Sequence, residues 1–315
     1  MWKPPTLSAA LLFLFLPFGA ANAAVPQVVV SLQPLHSLAA MVMDGVGQPK
    51  LLVNGMASEH GYVLKPSDAR ALESAQLVVM VDRDYETFMD KPLDARTDAV
   101  KVLAMADLPG MRVLKPREGG AWEAHHHDPS HGHDQSHAHA DHEELDGHLW
   151  LDVGNARLLL VALAESLAEI DPEHAEVYRA NAHQAAVRLT ALDGQLKAKL
   201  EGVADRPFVV FHDGYQYFES RYGLNGAGSI TVDPDRPPSA KRLSALADKL
   251  RRAKAACVFR EPQFPAPVVE SLADAAGAKV GVLDPQGAAL PPGPGLYPAL
   301  LGNLADSLTN CLSAR

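Results

Sequence analysis

Histidine is concentrated in one short stretch of the chain. Eight of the 14 histidines, interspersed with Asp, Gly and Ser, lie between positions 125 and 142: His125, His126, His127, His131, His133, His137, His139 and His142. Neutral imidazole nitrogen is a preferred ligand of Zn²⁺. The segment from about 115 to 146 has few apolar residues to bury, so we expect a mobile loop. Such a loop would capture Zn²⁺ loosely or sense its excess, or it would be a surface loop that binds metal only incidentally.

Three other histidines follow or adjoin apolar runs, where open α/β sheets place their ligand sites. His60 lies in a turn-rich loop after LLVN, His148 begins HLWLD, and His212 ends FVVFH. Each alone would more often be a surface or structural histidine. Together they could form a three-imidazole site for Zn²⁺ with a fourth position for a carboxylate or water. Glu59 and Asp284 are the carboxylates available for that position.

The elements that must hold these histidines alternate between strands and helices. Short apolar runs occupy 27–32, 49–55, 76–81, 206–212, 255–262 and 278–285. Strands that are apolar on both faces and separated by helical patterns predict parallel sheets covered by helices on two sides. A helical pattern begins at Asp171 and Pro172 and continues to Gly202, a length of roughly 43 Å as one helix. The sequence therefore predicts an α/β protein with two lobes, 24–170 and 203–315, joined by a long rigid helix over 171–202.

The first 23 residues have the layout of a secretory signal peptide. A positive charge at Lys3 precedes an apolar run and the small residues Ala21 and Ala23 around Asn22. The run is shorter than the ~20 apolar residues that a membrane span needs. We expect residues 1–23 to be removed and the mature chain to be exported and soluble. The net charge of -10, without a basic stripe, argues against nucleic acid as a partner.

The chain has two cysteines, Cys257 and Cys311. In an exported protein an even pair indicates a disulfide, and two free buried thiols are the alternative. A bridge that closes a loop of this length would stabilise the fold by roughly 4 kcal/mol if the chain-entropy model holds.

Four stretches carry a resemblance to a known family: EHGYVLKPSDARALESAQLVVMV, HLWLD, FVVFHDGYQYFESRYGL and CVFREPQFPAPVVESLA. They are similar to the zinc-binding proteins of bacterial ABC importers, which are the metal-binding group of periplasmic substrate-binding proteins. The resemblance spans nearly the whole mature chain and keeps the order of the motifs. It implies two α/β lobes joined by one rigid long helix, with a metal ion in the cleft between them.

The resemblance also implies the metal ligands. The family ligands fall on His60, His148 and His212; Glu59 matches an acidic fourth ligand of some zinc members, and Asp284 matches the aspartate of manganese members. Manganese relatives have a carboxylate where this chain has His212, so zinc is favoured. The cysteine pair resembles the disulfide of zinc members, and a His-rich loop before the second ligand is typical of them.

The function that the resemblance implies is high-affinity capture of Zn²⁺ in the periplasm and its delivery to an ABC permease with its ATPase. We expect a monomer without enzymatic activity. One alternative is an exported zinc-dependent hydrolase with Glu59 as general base, although the chain has neither H-E-x-x-H nor G-x-S-x-G. Others are a family member that binds manganese or another metal, and a metal-binding adhesin or zinc buffer without a transporter.

Overall fold

The computed structural model describes residues 25–96, 100–117, 122, 145–231 and 238–313. The predicted signal peptide and all eight histidines of the His-rich segment therefore lie outside the described residues. Within the described ranges, no helix is both long enough and apolar enough to cross a membrane.

Two parallel sheets of four strands each form the frame of the molecule. The strands of the first are β1 (Val28–Val30), β2 (Lys50–Leu51), β3 (Leu77–Met80) and β4 (Lys101–Ala104), in the order β2-β1-β3-β4. The strands of the second are β5 (Phe208–His212), β6 (Gly226–Thr231), β7 (Cys257–Arg260) and β8 (Lys279–Val282), in the order β6-β5-β7-β8. In both sheets all strand pairs are parallel.

Nine α-helices are described, and they surround the sheets: α1 (Gln33–Val42), α2 (Pro66–Ser74), α3 (Asp90–Asp94), α4 (Val153–Ile170), α5 (Ala175–Leu200), α6 (Gln216–Tyr222), α7 (Ala240–Ala253), α8 (Pro267–Ala276) and α9 (Leu296–Ser313). One face of the first sheet packs on α2 and α3, and one face of the second packs on α7 and α8. The opposite faces of both sheets share one continuous core with α1, α4, α5 and α9. The predicted fold class, parallel sheets with helices on both sides, is confirmed.

Two edge strands were absent from the sequence prediction. β4 reads KVLA and β6 reads GAGSIT, and each is the last strand at one edge of its sheet. Lys101 interrupts the apolar run at β4, and Gly226 and Gly228 weaken the pattern of β6. These two strands were therefore missed, whereas the other two edge strands, β2 and β8, were predicted.

The long helix α5 holds the two sheets at a fixed separation. Pro172–His174 forms a short 3₁₀ turn, after which α5 runs for 26 residues, a length of about 39 Å. Asp171, buried at its start, accepts a hydrogen bond of 2.7 Å from the hydroxyl of Tyr178. Because α5 packs against α4 along its length and against α1 and α9, it is part of the common core and not an isolated connection.

The last helix, α9, contacts elements of both halves of the molecule. A disulfide joins Cys311 on α9 to Cys257 on β7, which confirms the predicted bridge. On the other side, the backbone N–H of Tyr297 donates to Ser37 on α1, and the Tyr297 hydroxyl donates to the carbonyl of Trp150 at 2.6 Å. The C-terminal helix therefore fixes the second sheet against the helices of the first.

Candidate metal centre

Three imidazoles converge between the two sheets. One ring nitrogen from each of His60, His148 and His212 can be chosen so that all three lie within 4.8 Å of one another. The ring centroids are 5.0 Å apart for His148 and His212, 5.6 Å for His60 and His212, and 6.1 Å for His60 and His148. The structure therefore brings together three histidines that are far apart in sequence. His148, however, does not follow a strand: it precedes a 3₁₀ turn, Leu149–Leu151, that leads into α4.

His212 is held by a carboxylate from the neighbouring strand. It is the last residue of β5, and Glu261 directly follows β7, which pairs with β5. Glu261 Oε1 lies 2.6 Å from Nδ1 of His212 and also accepts the His212 backbone N–H at 3.3 Å. Burial alone would lower the pKa of His212, but the Glu261 carboxylate raises it to about 9. A carboxylate on Nδ1 fixes the ring and leaves Nε2 for a metal.

His148 has an equivalent carboxylate two residues earlier in the chain. Asp146 Oδ1 lies 2.8 Å from Nδ1 of His148 and accepts its backbone N–H at 3.1 Å. Burial, together with the neighbouring His212, holds the pKa of His148 well below its usual range. The Nε2 atoms of His148 and His212 lie 3.0 Å apart, a hydrogen-bond distance. Because the pKa of His148 is lowered and that of His212 is raised, the hydrogen bond between the two rings favours His212 as the donor and His148 as the acceptor.

His60 stands in a different environment. It lies in the loop between β2 and α2, and its side chain is 23% exposed, against 6% for His148 and 3% for His212. Its backbone N–H donates to the Ser58 hydroxyl at 3.3 Å. Glu59 Oε1 lies 3.7 Å from its Nε2, which is longer than a hydrogen bond.

Glu59 is buried beside the three imidazoles but does not belong to the group of three converging ligand atoms. Its Oε1 accepts a hydrogen bond of 3.0 Å from the hydroxyl of Tyr85, and its Oε2 accepts one from the side-chain amide of Gln286. Burial would raise the pKa of Glu59, but the surrounding imidazoles, His60 foremost, hold it below its ordinary value. The carboxylate is therefore ionised.

Asp284, the other candidate carboxylate, also lies outside that group. Its Oδ1 accepts the backbone N–H groups of Gln286 at 3.2 Å and Gly287 at 2.9 Å, and the side-chain amide of Gln263 at 3.3 Å. In this structure Asp284 shapes the loop from which Gln286 reaches Glu59.

Tyr85 and Gln286 contact the site but were not identified from the sequence. Tyr85 follows β3 in the stretch VDRDYE, so the position of ligand sites after strands could have indicated it. Its hydroxyl also lies 3.4 Å from His148 Nε2, and its ring lies against Gly147. A Cβ atom at Gly147 would be 2.1 Å from that ring, so glycine is required for this close approach.

Gly214 closes one side of the site. A Cβ atom there would lie 2.4 Å from Nε2 of His212 and 2.8 Å from Nε2 of His148. Real Cβ atoms do not approach other atoms so closely, so any side chain at this position would displace both imidazoles. Gly214 therefore leaves the space that an ion between the two Nε2 atoms needs.

A half-buried arginine, Arg117, lies beside the candidate metal centre. The guanidinium of Arg117 donates from Nε to Asp213 Oδ1 at 3.0 Å and from Nη1 to Glu219 Oε2 at 2.5 Å, and it lies 3.4 Å from the centroid of the Trp122 ring. Asp213 adjoins His212 in sequence. Arg117 is thus held next to Asp213, the sequence neighbour of His212.

Comparisons with known proteins identify the family of this chain. Residues 28–311 match the family model of ZnuA, the periplasmic component A of the zinc-uptake complex. The high-affinity zinc uptake system protein ZnuA of Brucella suis biovar 1 (strain 1330) is 46% identical over 305 residues, which cover 91% of each chain. The protein of the same name from Yersinia pestis is 34% identical over 99% of this chain and 98% of its own. A solved ZnuA deletion mutant with zinc bound has a TM-score of 0.74 and 26% identity over 91% of this chain and 98% of its own.

Proposed function

Because the chain belongs to the ZnuA family of periplasmic zinc-uptake components, we propose that it captures Zn²⁺ with His60, His148 and His212 and delivers it to an ABC permease. Its relatives are named for high-affinity zinc uptake, and members of this family are transport components and not enzymes. The hydrolase alternative is therefore not favoured.

The main support for this ligand set is the convergence of three imidazole nitrogens within 4.8 Å. In two of these rings, Nδ1 is hydrogen-bonded to a carboxylate, which leaves Nε2 for the ion. Three neutral nitrogen donors suit Zn²⁺, whereas Mn²⁺ prefers oxygen. Because Asp146 and Glu261 orient their rings before the ion arrives, little ordering remains to be done when it binds. This donor set favours zinc over manganese as cargo.

Delivery requires that the ion be released to the permease. The common core that runs through α5 opposes a wide separation of the two sheets. We therefore expect release to proceed through small shifts of the loops that carry the ligands, when the permease binds across both halves.

The His-rich segment is proposed to be an accessory that raises the local Zn²⁺ concentration. The protein is proposed to act as a monomer in the periplasm after loss of residues 1–23.

Zinc uptake by cells tests the importer role. Cells that lack their own zinc-binding importer component should regain growth in chelator-treated medium when they express the wild-type chain, but not when they express His148→Ala. His174→Ala is the matched control, because His174 lies at the start of α5 and contacts Asp171. If wild type binds zinc tightly in vitro and still fails to restore uptake in cells with an intact permease, the protein is a buffer or an adhesin and not the importer component.

A further inference from the structure

A buried glutamine connects loops from the two halves of the molecule. Gln33, the first residue of α1, is 1% exposed. Its Nε2 donates at 3.0 Å to the carbonyl of Gly287, in the loop after β8. Its Oε1 accepts the backbone N–H of Gly55, in the loop after β2, at 3.0 Å. Because the loop after β2 also carries His60, one side chain links the backbone near a candidate ligand to the other half of the molecule.

The loop that carries His60 has few other attachments. Among the described residues, only one backbone group between positions 54 and 61 forms a hydrogen bond to a residue outside this stretch, and it is the Gly55 N–H. The His60 N–H binds within the stretch, to the Ser58 hydroxyl. The backbone on the N-terminal side of His60 is therefore held to the core through Gln33.

The helix that carries Gln33 is firmly packed. Nine of the ten residues of α1 are buried, and the helix belongs to the core that both sheets share. Ser37, one turn after Gln33, accepts the backbone N–H of Tyr297 on α9 at 2.9 Å. Because α1 is fixed in this way, Gln33 cannot follow the loop when the loop moves, and displacement of Gly55 breaks its bond to the amide.

The loop after β8 is an equally fixed second anchor. Asp284 accepts the Gly287 N–H at 2.9 Å, and a Cβ atom at Gly287 would lie 3.3 Å from three leucine side chains, so this backbone is closely packed. The carbonyl of Pro285 accepts the indole N–H of Trp150 at 2.8 Å, a second bond from the first half to the same loop. With its amide nitrogen bound to Gly287, Gln33 has its amide oxygen turned toward the loop that it holds.

On the basis of the proposed zinc site, we infer that Gln33 is a positioning residue for His60 and slows the release of zinc. It acts through the Gly55 backbone and not through a contact with the imidazole. For the ion to leave, the loop that carries His60 must move, and this movement breaks the bond between Gly55 and Gln33. The bond is present in the closed site and absent from the open one, so it lowers the dissociation rate and leaves the association rate unchanged.

Stopped-flow competition with a chromophoric chelator measures the dissociation rate of zinc from the mature chain. The phase that belongs to the site is the slow one that the His148→Ala variant lacks, which separates it from zinc on the His-rich segment. Gln33→Met keeps the length of the side chain and removes both hydrogen bonds. We expect this variant to release zinc about 3- to 30-fold faster than wild type, the range for loss of one or two buried hydrogen bonds.

Asn181→Leu is the matched control. The Asn181 amide binds the carbonyls of Val42 and Asp44, at the opposite end of α1, so this variant should release zinc as wild type does. Combination with His60→Ala separates positioning from general stability. If Gln33 acts through His60, Gln33→Met should cause no further acceleration in the His60→Ala background, whereas an effect on general stability would multiply the two rates.

Amide hydrogen exchange in the unsubstituted chain tests the same bond, and it decides the question if Gln33→Met does not fold. The Gly55 N–H exchanges only when its bond to Gln33 opens, so saturation with zinc should slow its exchange. An exchange rate of Gly55 that is the same with and without zinc would separate this bond from the opening of the site and would overturn the inference.

Two kinetic results would also overturn the inference. One is release of zinc from Gln33→Met at the wild-type rate. The other is an acceleration by Gln33→Met that is as large without the His60 imidazole as with it. Failure of the proposed function gives a different result, since wild type would then show no slow phase that His148→Ala removes.

Discussion

In the candidate metal centre, the surroundings of His148 and His212 differ from those of His60. The first two rings are buried, lie beside regular elements and have carboxylates on Nδ1. His60 is partly exposed in a loop, and its backbone is held by one long hydrogen bond to Ser58. From this comparison we propose that His148 and His212 form a preorganised pair that binds the ion tightly, and that His60 is a more adaptable third ligand that completes or opens the site.

Loss of a ligand from the preorganised pair should have the largest effect. We expect His148→Ala to weaken zinc binding by more than the roughly 100-fold that removal of an outer-sphere partner can cost. His60→Ala should weaken it less and should mainly raise the dissociation rate. Calorimetry and stopped-flow chelator competition measure both quantities. Equal losses in the two variants would remove the distinction between the ligands.

Substitution of the carboxylates that orient His148 and His212 should have the next largest effect on zinc affinity. Glu261→Gln and Asp146→Asn keep the shape of the side chain but remove the charge on Nδ1, and each should lower zinc affinity by about 10- to 100-fold. Asp171→Asn is the matched control, since Asp171 makes the same kind of contact with His174 far from the site. If the control lowers affinity as much as the two variants do, the effect is one of general stability.

The affinity of the site for zinc should depend on pH through His212. Because Glu261 raises the pKa of His212 to about 9, zinc must displace a proton at neutral pH. Apparent affinity should therefore increase by about tenfold per pH unit up to pH 9, as expected for release of one proton on binding. Without zinc, the same raised pKa stabilises the fold below about pH 6.5, and this contribution is lost as the pH rises through 9. If the zinc affinity of the wild-type protein does not change between pH 7 and 9, the raised pKa of His212 is contradicted. In the Glu261→Gln variant, by contrast, the affinity should not change over this range.

The smallest effect on zinc affinity is expected from a change beside His60, the ligand in the loop. Ser58→Ala removes the hydroxyl that accepts the His60 backbone N–H at 3.3 Å in an exposed loop. A hydrogen bond of this kind contributes about 0.5–1 kcal/mol, so zinc affinity should fall only about two- to fivefold. Zinc titration by competition with a fluorescent chelator resolves such a change. A loss as large as that of Glu261→Gln would show that His60 is preorganised as well.

The sequence was sufficient for the framework, and it singled out the three histidines only together with the family resemblance. Buried parallel strands appear in the sequence as apolar runs. His60 lies after such a run and His212 ends one, which is where ligand sites of open α/β sheets lie. The Asp146 carboxylate is only two residues from His148, and local spacing could have indicated it. β4 and β6 were missed because Lys101 interrupts the apolar run at β4 and two glycines weaken it at β6.

Contacts across the site could not be predicted in the same way. Gln286 meets Glu59 across 227 positions of sequence, and Glu261 meets His212 across 49. The geometry of the side chains between the two sheets decides which carboxylate faces an imidazole. It also decides which carboxylate binds backbone N–H groups of a loop, as Asp284 does. Residue type and spacing carry no information about such a choice.

The most direct test of the central claim is a calorimetric zinc titration of three proteins: the mature chain, a variant that lacks residues 119–145, and a His60→Ala, His212→Ala variant. We predict that the shortened protein keeps one tight site and that the histidine variant loses it. Tight binding that disappears with the deleted segment and survives the two substitutions would contradict the claim, because the functional site would then lie in the His-rich segment.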